Sequence, residues 1–159
     1  MPIEYEHRYL VEKIPVCDAP IEITQTYIAV DRDRSLVQRV RMIKAEHHLP
    51  RYMKTLKIGH DPYVHEVEFP IPAAAYDELV RYFRIGEPIV KLRHHIRIDG
   101  LYWDVDLFEN GMIIAELEDP PETYSTEPFG KAVNISDLVE FKNFKLSLDG
   151  YPEFKKILE

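Results

Sequence analysis

The residues in this chain that could do chemistry come in pairs spaced two apart. Glu4 and Glu6 stand with Arg8 in IEYEHRYLV, Arg39 with Arg41 in LVQRVRMI, and Thr55 with Lys57 in YMKTLKIG. Glu66 and Glu68 follow in HEVEF, Lys91 and Arg93 in IVKLRHH, Asp104 and Asp106 in YWDVDLF, and Glu116 and Glu118 in IIAELE. A spacing of two puts both members of a pair on one face of a β-strand, because successive side chains point to opposite faces. Apolar residues such as Val40, Leu56, Val67, Leu92, Val105 and Leu117 fill the gaps and make up the other face. A half-buried sheet with its charged face in water explains any one pair. Like charges crowded on six of these seven strands need another reason, since ordinary solvent faces mix Thr, Ser, Gln and Lys. Some of these strands carry only acids and others only bases. That segregation suits a ligand with two poles, a polyanion for the bases and a cation for the acids. Metal-bound phosphate has both.

Strands must position these pairs. Strand-like segments cover residues 3–11, 22–30, 36–43, 52–59, 65–71, 89–98, 101–108 and 112–118, rich in β-branched and aromatic residues between turn-like groups. Asp99-Gly100 and Asn110-Gly111 read as hairpin turns. Residues 72–86 predict one helix, opened by Pro72, stopped near Gly86, with Tyr76, Leu79, Val80 and Phe83 on its apolar side. Beyond residue 118 the pattern is less regular, with short helices expected near 135–144 and 151–159. Eight neighbouring antiparallel strands suit a meander or a closed barrel. A barrel with this charged face inside inverts the usual apolar filling. Its charges must then meet water, each other, metal or ligand.

A length of 159 residues predicts a single domain over 1–159. Hydrophobic residues at 45% and charged residues at 30% are ordinary for a globular protein and unlike a disordered one. Cys17 stands alone, so no internal disulfide forms and a cytoplasmic setting is expected. No apolar run approaches the ~20 residues of a membrane span, and MPIEYE is no secretion signal. The net charge of −8 argues against general nucleic-acid binding but not against a small anion held by local fields. His94, His95 and Glu46-His47-His48 lack a cysteine partner and helical ligand spacing, so they read as surface or turn residues rather than a zinc site.

In order along residues 3–118, these motifs resemble the CYTH superfamily, the triphosphate tunnel metalloenzymes. Glu4-Tyr5-Glu6-His7-Arg8 is similar to the family's opening Glu-x-Glu-x-Lys, and Gln25-Thr26-Tyr27-Ile28 to its QGYL segment. Arg39-Val40-Arg41, Thr55-Leu56-Lys57, HEVEFPIP, Lys91-Leu92-Arg93, WDVDLF and AELE resemble the motifs that follow. The resemblance implies an α+β fold: an eight-stranded antiparallel β-barrel, the triphosphate tunnel, with helices packed outside. Its strands would span about 3–118, followed by a divergent helical segment, 119–159. It further implies that Arg8, Arg39, Arg41, Lys57, Lys91 and Arg93 grip phosphates, and that Glu4, Glu6, Asp106, Glu116 and Glu118 hold Mg²⁺ or Mn²⁺. Glu6 and Tyr27 are the candidate catalytic residues, for water activation and proton donation, with a packed aromatic the alternative role of Tyr27.

Members hydrolyse inorganic triphosphate, thiamine triphosphate or RNA 5′-triphosphate ends, and some are adenylate cyclases. The expected function is metal-dependent hydrolysis of a small-molecule triphosphate, foremost inorganic triphosphate. The alternatives are a cyclase making cyclic AMP from ATP, or a non-catalytic polyphosphate- or nucleotide-binding module. Arg8 replaces the family's lysine and cannot act as a base near neutral pH, so it reads as a phosphate clamp. Glu140 puts an acid where relatives carry a base, with Lys142 and Lys145 nearby. The closing YPEFKKILE serves either packing or formation of a homodimer.

Overall fold

The computed structural model describes residues 3–31, 36–60 and 63–159. Ten strands, β1 (Ile3–Glu4), β2 (Glu6–Val11), β3 (Ile21–Asp31), β4 (Leu36–Lys44), β5 (Arg51–His60), β6 (Tyr63–Pro70), β7 (Ile89–Ile98), β8 (Leu101–Phe108), β9 (Ile113–Glu118) and β10 (Ala132–Asn134), make one antiparallel sheet. Helix α1 (Ala73–Phe83) interrupts it between β6 and β7, and α2 (Asn143–Asp149) lies in the C-terminal segment.

The sheet order is β1-β6-β5-β4-β3-β7-β8-β9-β2-β10. The first predicted strand is split. Ile3 and Glu4 pair with His65 and Val64, whereas Glu6 to Leu10 pair with Glu118 to Ile114, so Tyr5 is the covalent join between two ends of the ladder. Among the described residues no backbone ladder crosses that join, and β10 adds a further strand beside β2. The architecture is therefore a curled, tunnel-like α+β sheet. A continuously hydrogen-bonded eight-stranded barrel, as expected from the sequence, is not what the ladders form.

The hairpin signals act as their chemistry requires. Asp99 (φ 52°) and Gly100 (φ 79°) both take left-handed backbone between β7 and β8, which suits the twist of a two-residue turn. At the next turn the Asn110 side chain accepts from the Met112 N–H. Between Tyr27 and Ala29 the β3–β4 register shifts, a β-bulge that bends the strand beside Tyr27.

The two faces divide as the alternation predicts, with exceptions. Leu10, Ile89, Phe108, Met112 and Ile114 pack with Ile135, Phe141 and Leu146 of the C-terminal segment, and Tyr151, Phe154 and Leu158 lie against the same cluster. Those last contacts give YPEFKKILE a packing role. On the outer face Val11, Trp103, Val105 and Leu117 meet Phe129 and Tyr124 from the segment after β9. Helix α1 packs on β3, β4 and β5, with Tyr76 buried against Tyr52. Phe83, expected on its apolar side, is 59% exposed, and Val67 and Phe69 on the outer face of β6 are exposed too. Helices thus cover only part of the outer face. The expected short helix near 135–144 falls instead at Asn143–Asp149, preceded by a single 3₁₀ turn at Val139–Phe141. Among the described residues no helix is long and apolar enough to cross a membrane.

Candidate active site

Cross-strand register turns the charged pairs into rows on one face. Glu6 sits opposite Glu118; Arg8 opposite Glu116, which faces Asp104, which faces His95; and Asp106 opposite Arg93. On the other half of the sheet Tyr27 faces Arg39, Arg39 faces Thr55, and Thr55 faces Glu68, while Lys57 faces Glu66. These rows surround a cavity of about 1430 Å³. Arg8, Arg39, Arg41, Lys57, Lys91 and Arg93 all line it, as do Glu6, Tyr27, Glu116 and Glu118. Asp106 does not; its neighbour Asp104 does. The Glu4 side chain lies outside the described residues.

Bases and acids, segregated by strand, are joined across strands. Arg41 Nη2 lies 2.7 Å from Glu68 Oε2, which also accepts from Thr55 Oγ1 at 2.6 Å. Arg39 Nη2 is 3.7 Å from Glu66 Oε1. Arg8 Nε donates to Glu116 Oε1 at 3.2 Å and its Nη2 to the Phe141 carbonyl at 3.0 Å. Arg93 forks onto Asp106, and Lys91 Nζ reaches Asp106 Oδ2 at 2.8 Å and Asn143 Oδ1 at 3.2 Å. Even so, Arg39 and Arg41, only 8% and 7% exposed, keep Nε groups that no atom of the described residues accepts. A buried, unpaired donor on a cation is costly, and an anion in the cavity relieves it.

The charges perturb one another. Burial pushes Asp106 up, but Lys91 and Arg93 outweigh it and hold the carboxyl well below the usual range. Burial brings the Lys91 ammonium down to about 8 against the pull of Asp106. Arg41 falls to about 10 through burial and the neighbouring Arg39, with Glu68 opposing. Burial raises Glu68 and Glu116, yet Arg41 and Arg8 respectively leave each below its ordinary value.

Tyr27 is buried at the bulge. Its hydroxyl oxygen receives Gln25 Nε2 at 3.1 Å and a hydrogen bond from Arg39.

Glu6, Glu116 and Glu118 lie adjacent across β2 and β9 and offer the oxygen ligands that hard divalent ions take, so they could hold such an ion. Among the described residues no three Asp, Glu, His or Cys side chains already converge on one point as a metal cage. A divalent ion would thus share its shell with water or phosphate oxygens, as Mg²⁺ commonly does. Sequence reading gave no site role to Glu66, Glu68, Asp104, Asn143 or the Phe141 carbonyl. The three acids were visible as strand pairs. The two C-terminal groups carry no periodic signal and reach the site only through packing.

No family model matches the chain. It is 36% identical over 136 residues to an inorganic triphosphatase of Acetivibrio thermocellus, covering 83% of each chain. Its fold is similar to the crystal structure of the inorganic triphosphatase NE1496, with a TM-score of 0.65 over 96% of this chain and 99% of that one, at 22% identity. A conserved hypothetical protein from Pyrococcus furiosus matches with a TM-score of 0.57 over 79% of this chain and 81% of that one, at 23% identity.

Proposed function

The chain belongs to the CYTH superfamily of triphosphate tunnel metalloenzymes, and from that premise we propose that it hydrolyses inorganic triphosphate within the charged interior of its curled sheet, using Mg²⁺ or Mn²⁺. The observation that carries this reading is the ring of six bases, Arg8, Arg39, Arg41, Lys57, Lys91 and Arg93, around one cavity. The unaccepted Nε groups of Arg39 and Arg41 call for an anion there. The similarity to the Acetivibrio thermocellus inorganic triphosphatase supports the choice of substrate.

Phosphoryl transfer needs positioning and charge neutralisation more than covalent help. Arginine forks suit pairs of phosphate oxygens, and the Lys57 and Lys91 ammonium groups act as point charges. Glu6, Glu116 and Glu118 would hold the divalent ion, with Glu4 two residues before Glu6 in sequence. When bound, that ion supplies further charge neutralisation and an acidified water. Glu6 orients the attacking water. The Tyr27 O–H, held beside Gln25 and Arg39, donates to the departing phosphate oxygen. Arg8 stays charged throughout and clamps rather than accepts a proton. A tunnel closed through Tyr5 would keep bulk water away from the reacting phosphate.

The test is to offer the protein inorganic triphosphate, ATP and thiamine triphosphate in parallel with Mg²⁺ or Mn²⁺, following phosphate release and cyclic AMP. Fastest phosphate release from inorganic triphosphate is expected. Cyclic AMP from ATP would make the protein a cyclase, and tight binding with no turnover a binding module; either result overturns the proposal.

A further inference from the structure

Of the two acids in WDVDLF, Asp106 matches the family position expected to hold metal, but its surroundings oppose that role. We infer that Asp106 is a positioning residue that locks Lys91 and Arg93 into one unit, and that it takes no metal; the inference rests on the phosphate-binding reading of those two bases. Asp106 is 0% exposed and does not line the cavity, whereas Lys91, Arg93 and Asp104 do. Both its oxygens are engaged: Oδ1 accepts from Arg93 Nε at 2.8 Å, and Oδ2 from Arg93 Nη2 at 2.9 Å and Lys91 Nζ at 2.8 Å. A metal bound here would have to compete with the guanidinium fork and the ammonium, weakening the pairing of the buried Lys91 and the partly buried Arg93.

The fork fixes the plane of the Arg93 guanidinium, with Nη1 left outside it, 3.7 Å from Asp104 Oδ2. Lys91 is held at a second point by Asn143 Oδ1 at 3.2 Å, which links the unit to α2. One negative charge shared by two positive ones leaves a net attraction for phosphate. It also removes the side-chain freedom that would blur the position of the reacting group.

The test compares Asp106→Asn with Glu118→Gln. Each protein is titrated with Mn²⁺ in the presence of an imido-bridged, non-hydrolysable triphosphate analogue, with free Mn²⁺ followed by electron paramagnetic resonance. Asp106→Asn is expected to keep Mn²⁺ affinity within about threefold of wild type, while Glu118→Gln weakens it about tenfold or more. Equal weakening in both variants overturns the inference. In turnover of inorganic triphosphate, Asp106→Asn is expected to lower kcat about ten- to a hundredfold with KM nearly unchanged, the mark of lost alignment rather than lost binding. An unchanged kcat also overturns it. If Asp106→Asn does not fold, the double variant Arg93→Gln/Asp106→Asn relieves the stranded charge and is read by the same Mn²⁺ titration. A wild type that binds Mn²⁺ without turning over triphosphate sinks the functional reading alone, and the Mn²⁺ comparison still decides the role of Asp106.

Discussion

Arg8 on β2 donates from Nη2 to the carbonyl oxygen of Phe141 at 3.0 Å while its Nε holds Glu116 at 3.2 Å. One guanidinium therefore ties the first long strand both to a carboxylate of the site and to the C-terminal segment. A lysine at this position, the family's usual choice, has a single ammonium and cannot span both partners in the same geometry. The arginine that replaces the family's lysine in the first motif thus gains a second contact.

Arg8→Lys should free the segment after β10. Loss of a charged hydrogen bond to a buried carbonyl costs about 1.5–3 kcal/mol. Urea unfolding should show that drop, with faster amide exchange across residues 139–149. Unchanged exchange there would mean that apolar packing alone holds the segment.

Tyr27→Phe removes the hydroxyl held beside Gln25 and Arg39. A proton donor to the leaving group is worth about a hundredfold or more in kcat, with little change in KM. Gln25→Leu should give a smaller loss, since Gln25 acts on the reaction only through Tyr27. Gln25→Leu added to Tyr27→Phe should cost nothing more. A fully additive double variant would assign Gln25 a separate role.

Lys91 carries a pH signature. Burial puts its ammonium at about 8 when folded, against 10.5 for an ordinary lysine. Between those values the folded protein has released the proton and the unfolded chain has not, so stability rises with pH across that window and falls again as pH drops through 8. Phosphate affinity moves the other way. KM for triphosphate should climb between pH 7 and 9 as the charge is lost, and a flat KM over that range would refute the assignment of Lys91 to the phosphate.

Glu68 is expected to stabilise the folded protein through Arg41 and Thr55. Its folded value is lowered, so its contribution is complete above the ordinary carboxylate value of 4.5 and is lost as pH falls through the folded one. Glu68→Gln should lower stability by about 1–2 kcal/mol at pH 7. The difference from wild type should shrink as pH falls below 4.5 and Glu68 takes up its proton. A gap that persists through the acid limb of the titration would point to shape, not charge.

Much of this was legible in single residues. The period of two in Arg39/Arg41, Lys91/Arg93 and Glu116/Glu118 identified the inner face, because alternation is a property of the strand itself. Asp99-Gly100 located its turn for the same local reason. What escaped depended on distant neighbours. Alternation assigns Asp104 and Asp106 to one face but says nothing of depth, and only the Arg93 fork removes Asp106 from the cavity. Helix α1 ends at Phe83 rather than near Gly86 because the Ile85 N–H is claimed by the Tyr27 carbonyl. Gly86 itself passes so close to α2 that a Cβ there would sit 2.7 Å from the Ser147 carbonyl oxygen. Asn143 and the Phe141 carbonyl enter the site from a segment whose short helices have no periodic pattern to announce them. The split of the first strand at Tyr5 is likewise a matter of which partners each half meets.

The most direct test of the central claim is phosphate release from inorganic triphosphate by wild type and Glu6→Gln, each with Mg²⁺, Mn²⁺ or chelator. The account predicts release by wild type with either metal, none in chelator, and a loss of about a hundredfold or more in Glu6→Gln. Release that persists in chelator, or that Glu6→Gln leaves intact, would contradict it.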